Sequence, residues 1–101
     1  KGGKLSKDGQ DSASADQLCR AAAADNVKML QLLKDAGVSL NQGDYDGRYA
    51  LHLAAANGRL LAVSYLLSIC ADPNVQDRWK STPVEDALKN NHLHCARLIQ
   101  S

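Results

Sequence analysis

The strongest constraint on this chain is that it matches itself at an offset of 33 residues. Asp44 recurs as Asp77 and Asn41 as Asn74. Leu51-His52-Leu53-Ala54-Ala55 falls opposite Leu18-Cys19-Arg20-Ala21-Ala22 on one side and Val84-Glu85-Asp86-Ala87-Leu88 on the other. A fixed period of this length describes supersecondary units that cannot bury an apolar face alone and do so against their neighbours. Such arrays present surfaces for binding rather than pockets for catalysis.

Composition narrows the type of unit. Hydrophobic residues make up 45% of the chain, but aromatics only 4%, and Phe is absent. Apolar content carried by Ala, Leu and Val suits close-packed short helices better than a β-sandwich. Twelve basic and eleven acidic residues are spread along the chain for a formal charge of +1. That balance gives no electrostatic case for nucleic acid or an anionic membrane. No apolar run reaches transmembrane length and no signal-peptide core is visible. The start at Lys1 is expected of a piece of a longer protein, and 101 residues give room for one domain. Cys19, Cys70 and Cys95 are odd in number, widely spaced and set in apolar helical contexts. They read as small core residues in an intracellular, reducing compartment, with the cytoplasm the first choice.

Residues Lys1 to Ala13 are polar around a single Leu5 and read as a flexible linker from an upstream domain. From Ser14 the pattern turns helical. Ser14 or Asp16 caps a short helix to about Ala23, and Asp25 or Asn26 opens a second over Val27 to Lys34. Val27, Leu30, Leu32 and Leu33 form its expected apolar stripe, and Gly37 suits the position that ends it. A polar turn region follows from Asn41 to Gly47. The next pair is expected over Ala50 to Asn57 and Leu60 to Ser68, with Leu60, Val63, Leu66 and Leu67 inward. The third pair opens at Thr82-Pro83-Val84-Glu85, an N-cap, a proline at N1 and a capping-box glutamate. Its second helix runs from Leu93 to Gln100, and either Leu98 or Ile99 is expected to stay partly exposed.

Helix pairs with long polar loops every 33 residues resemble ankyrin repeats. The run Gly47-Arg48-Tyr49-Ala50-Leu51-His52-Leu53-Ala54-Ala55-Ala56-Asn57-Gly58 is similar to the core motif of that family, and Asp72-Pro73-Asn74 to its ending. Departures are Cys70 at the position where Gly37 stands, Asn91 in place of Gly58, and Glu85 in place of His52. The resemblance covers about residues 15 to 101. It implies an all-α solenoid of helix-turn-helix units joined by β-hairpin-like loops, with repeats at about 14–43, 44–76 and 77–101. A narrower run, Asp44-Tyr45-Asp46, Ala50-Leu51-His52, Cys70, Asp77-Arg78-Trp79, Thr82-Pro83 and Ala87-Leu88, resembles the ankyrin tail of eukaryotic glutaminases. Asp-Arg-Trp before Thr-Pro also occurs in ankyrin segments of plant potassium channels and kinases.

Chemistry-bearing clusters are weak. His92 and His94 diverge by about 200° on a helix, and no second Cys/His pair stands at zinc-binding spacing. Asp44, Asp46, Asp72 and Asp77 read as turn residues bonded to their own backbone. The resemblance gives His52 a structural role, holding successive loops in register. No metal, cofactor or catalytic residue is expected. The resemblance implies a concave protein-binding surface mapped to Tyr45, Asp46, Arg48, Ala56, Asn57, Arg78, Trp79, Ser81, Lys89 and Asn90. Tyr, Trp and Arg are enriched at binding hot spots. The competing reading packs Trp79 flat against Tyr45 or Tyr49. A further expectation, implied by the family, is hydroxylation of Asn41 or Asn74, against plain turn capping. The expected function is a non-catalytic module binding a protein partner. The alternative is a regulatory or self-association tail of a larger enzyme, responding to changes near Leu93, Leu98 and Ile99.

Overall fold

The computed structural model describes residues 15–40, 43–69 and 71–100, which form six helices and no strand. Helix α1 covers residues 15–23. It is followed by α2 (Val27–Asp35), α3 (Ala50–Ala56), α4 (Leu60–Ser68), α5 (Pro83–Lys89) and α6 (Leu93–Gln100). The starts of α2, α4 and α6 are 33 residues apart, as are those of α3 and α5. The expected linker, the Ser14 cap, Asn41 and Cys70 lie outside the described residues. No described helix is long and apolar enough to cross a membrane.

Local signals account for the helix starts. Thr82 Oγ1 accepts the Glu85 N–H at 3.3 Å, and Glu85 Oε1 accepts the Thr82 N–H at 2.9 Å. Pro83 occupies the position where an N–H would have no partner. Of the two expected caps for α2, Asn26 takes the role, its Oδ1 accepting the Met29 N–H at 3.1 Å. Asp25 instead reaches the neighbouring pair, where its Oδ1 accepts the Ala62 N–H at 2.9 Å.

The reversals inside the pairs are equally periodic. Asp25, Gly58 and Asn91 all adopt left-handed backbone, with φ of 59°, 68° and 63°. Short polar side chains tolerate that region better than other non-glycine residues. Gly58 has a second reason to lack a side chain: an added Cβ would lie 2.6 Å from Nδ1 of His92.

Helix α3 packs on α5 and α4 on α6, while α3 joins α4 and α5 joins α6 within pairs. The core runs through Leu18, Leu30, Leu51, Val63 and Leu66, interleaved with buried alanines that let the helices approach closely. Two of the expected inward leucines face solvent. Leu60 is the first residue of α4, so its side chain leans back past the end of the packed region. Leu32 lies two residues from the buried Leu30 and therefore nearly opposite it on the helix. At the last helix Ile99 is buried and Leu98 partly so.

Side-chain size changes at one register of the repeat. Ala22 and Ala55 are fully buried, and Leu88, at the same register one period on, is 48% exposed. Cys19 and Cys95 are buried free thiols.

Candidate protein-binding surface at the loop tips

The loops before α3 and α5 are built alike. Asp44 Oδ1 accepts the N–H groups of Asp46 and Arg48, each at 2.9 Å. Asp77 Oδ1 accepts those of Trp79 and Ser81, again at 2.9 Å. The N–H of Asp44 donates to Arg48 O at 2.9 Å, and that of Asp77 to Ser81 O at 3.1 Å. One carboxylate oxygen thus closes each loop by satisfying two backbone donors. Both loops need one left-handed residue, supplied by Gly47 (φ 71°) and Lys80 (φ 66°).

Adjacent loops are tied together. The Arg78 N–H donates to Asp46 O at 2.8 Å. Its guanidinium meets Asp46 Oδ1 at 3.1 Å, and Arg48 Nη2 meets Asp46 Oδ2 at 3.2 Å. Arg48 Nε, buried and without a hydrogen bond among the described residues, lies 3.7 Å from Asp44 Oδ2.

Below the loops, His52 Nδ1 accepts the Tyr49 N–H at 3.0 Å, which leaves Nε2–H to donate to Ser81 O at 2.7 Å. The buried imidazole caps its own helix and fastens the next loop, the structural role expected of it. Cys19, one period earlier, makes the second of these bonds: its Sγ donates to Arg48 O at 3.5 Å. Burial, and next the Asp44 charge, push the Cys19 thiol up to about 12, so the proton stays on sulfur. Glu85, one period later, makes the first, capping Thr82. The signal that could have found Cys19 is its alignment with His52 at the repeat offset.

The candidate surface residues divide by position. Tyr45 is 87% exposed and Trp79 62%. Tyr49 sets its ring against His52, with centroids 6.0 Å apart, and the Arg78 guanidinium sits 5.3 Å from the centre of the Trp79 ring. A cavity of about 280 Å3 opens between α3, α5 and the second loop, lined by Arg48, Leu53, Ala56, Trp79, Asp86, Lys89 and Asn90 among others. Asn57 and Asn90 end α3 and α5 and bond back with Nδ2 to Leu53 O and Asp86 O, each at 2.8 Å. Ser81 departs from the expected surface set. It is buried, takes His52 on its carbonyl, and accepts Lys89 Nζ on Oγ at 3.0 Å.

One ligand atom each from His52, Asp77 and Asp86 lies within 4.8 Å of the others, but both His52 nitrogens are already committed to backbone. Cys95 is buried, His94 is exposed, and His92 packs on Gly58. Asp72 Oδ1 accepts the Asn74 N–H at 2.9 Å, a turn-capping bond.

Comparison with known proteins agrees with this geometry. A family described as ankyrin repeats, in 3 copies, matches residues 18–101. The liver isoform of mitochondrial glutaminase from Rattus norvegicus is 41% identical over 81 residues, 79% of this chain. L-asparaginase from Dirofilaria immitis is 40% identical over 72 residues, 71% of the chain. Potassium channel KOR2 from Oryza sativa subsp. japonica is 34% identical over 83 residues, 82% of the chain. The chain spans 14% of the length of the glutaminase and 12% of each of the other two. The periodic helix pairs, the loop bonds repeated at the same offset and the three-copy match have one explanation: this chain belongs to the ankyrin-repeat family.

Proposed function

We propose that the chain is a non-catalytic protein-interaction module that engages a partner through the loop tips and the concave face between α3 and α5. The observation that carries this reading is the placement of Trp79. A large indole is 62% exposed on a loop whose backbone is pinned by Asp77, beside a cavity rather than in the core. A rigid, exposed aromatic costs little entropy to bury against a partner and contributes much area. Tyr45, Asp46, Arg48, Arg78, Lys89, Asn57 and Asn90 frame the same face. In this reading the units, at about 14–43, 44–76 and 77–101, form a solenoid with hairpin-like loops, working in a reducing compartment.

The test is a paired capture from a reducing lysate, with circular dichroism confirming that both baits fold. A partner held by the intact chain and lost by the Tyr45→Ala, Arg78→Ala, Trp79→Ala variant supports the module. Equal capture by both baits removes the tip surface from the account.

A second reading, an assembly tail of a larger enzyme, is favoured by the match to enzymes of which the chain spans so small a share. It places contacts on Leu93, which is exposed at the start of α6, and on Leu98. Sedimentation of the chain with and without Leu93→Ser distinguishes it: an assembly that dissociates in the variant favours the tail.

A further inference from the structure

Every ion pair among the described residues lies on a first helix or a loop tip: Asp16 with Arg20, Asp44 and Asp46 with Arg48, and Asp46 with Arg78. The second helices are charged differently. Helices α4 and α6 contain no acidic residue, and the one acid in α2, Asp35, stands at its far end, about two turns beyond Lys28. Lys28, Arg59 and Arg97 are exposed on or beside these helices and pair with no described carboxylate. Arg59 is fixed by its Nε–H, which donates to Ala23 O at 2.7 Å. Asp25, in the reversal before α2, engages the Ala62 N–H. Three cations against that one carboxylate leave this edge positive.

Apolar groups stand among the cations. Leu60 and Leu93 begin α4 and α6, one period apart, and both are exposed. Val27 holds the same place in α2, so these two follow the repeat. Leu61 does not. It is 66% exposed, the most exposed leucine described, and its register carries Lys28 one period earlier and His94 one period later. Packing therefore does not call for a leucine there. A cavity of about 230 Å3 lined by Leu93, His94 and Arg97 continues the edge along α6.

We propose that this edge, formed by the starts of α2, α4 and α6, is a second docking surface, and that its occupant is an acidic amphipathic helix of a protein partner. The partner's apolar stripe covers Leu60, Leu61 and Leu93, and its carboxylates meet Lys28, Arg59 and Arg97. The spacing suits a helix. Packed helices lie about 8–10 Å apart, and two turns advance about 11 Å, so apolar residues seven apart on one helix reach Leu60 and Leu93 together. A second copy of this chain is a poorer occupant, because the same edge on both sides would set cations against cations. An anionic lipid surface is also poorer, since it calls for clusters of about four to eight basic residues. The proposal is independent of the loop tips.

The experiment selects on the full chain from a library of helical peptides about 18 residues, or five turns, long. Leucine is fixed along one face, and Glu, Gln, Lys or Ala fills the other positions. Glutamate should be enriched beside the leucines. By calorimetry, Leu61→Gln should weaken the chosen peptides about tenfold or more. Lys28→Gln with Arg97→Gln should weaken them about threefold, less so in high salt. Trp79→Ala should change nothing, and circular dichroism confirms that each variant folds. Replacing the peptide's glutamates by glutamine should also weaken binding, which tests the charge without altering the protein. No enriched peptide, a preference for lysine or no charge preference overturns the proposal. Binding lost with Trp79→Ala but kept by Leu61→Gln moves the peptides to the loop tips and overturns it too. So does a dimer, or binding to phosphatidylserine vesicles, that disappears in Leu61→Gln, since the edge then belongs to a second copy or to lipid.

Discussion

Asp46 receives Arg78 twice, the backbone N–H on its carbonyl at 2.8 Å and the guanidinium on its carboxylate at 3.1 Å. The first bond joins two loops through main chain alone; the second adds a partly exposed ion pair. A double-mutant cycle with Asp46→Asn and Arg78→Ala should therefore give a coupling of only about 0.2–1 kcal/mol, falling in high salt. Chemical denaturation at low and high salt checks this; a large salt-insensitive coupling would mean that the side chains, not the backbone, hold the loops together.

Gly47 and Lys80 occupy equivalent loop positions with the same left-handed backbone. An added Cβ at Gly47 would also come within 3.2 Å of the Arg78 nitrogen. Gly47→Ala should destabilise the fold by about 1–2 kcal/mol, and Lys80→Gly should be neutral or stabilising by up to about 1 kcal/mol. Thermal unfolding of the two variants measures the contrast, and equal effects would refute it.

His52→Ala removes both bonds of a buried imidazole, leaving the Tyr49 N–H without a partner and the Ser81 carbonyl with only the Asp77 N–H. The expected loss is about 2–4 kcal/mol. Cys19→Ser keeps a donor for Arg48 O and should cost less than Cys19→Val, in the order given by denaturant midpoints.

Alkylation offers a chemical check on the same register. Burial raises both the Cys19 and Cys95 thiols. At pH 7.5 each should resist N-ethylmaleimide in the native protein and react on unfolding, read from the labelled peptides by mass spectrometry. Rapid native labelling of Cys19 would contradict its role as a buried donor.

Asp86 supplies a pH signature. Its folded carboxyl titrates above the usual value, with burial the main cause and His52, Asp77, Lys89 and Glu85 the charged or titratable neighbours. The protonated form is therefore favoured by folding. Stability from this group is present below about pH 4 and lost as pH rises through the folded value. Asp86→Asn should raise Tm at pH 7, and the gain should vanish near pH 3. A variant less stable at pH 7 would show that the carboxylate has a stabilising partner.

Much of this was legible before any coordinates. Thr82-Pro83-Val84-Glu85 announces a helix start because its caps are local, and the starts of α2, α3, α4, α5 and α6 agree with the repeat offset. Tyr45 and Trp79 were readable as exposed because they sit in polar turns. The errors came where the answer depends on what lies across from a residue. Leu60 and Leu32 fit an apolar stripe but face away from the neighbouring helices. Ser81 looks like a loop-tip residue, yet His52 and Lys89 both converge on it. The repeat offset aligns Cys19 with His52, but the role they share, donation to carbonyls one period apart, is visible only in the structure.

The contrast between Leu88 and the alanines at its register bears on how closely a neighbouring pair can stack. A unit grafted behind α5 and α6 in the spacing of the earlier pairs would press on a side chain three carbons larger than Ala22 or Ala55, both fully buried. Lengthening the array by design therefore begins with Leu88→Ala. Placing leucine at residue 55 would do the reverse, splitting the array by wedging apart the joint between its second and third units.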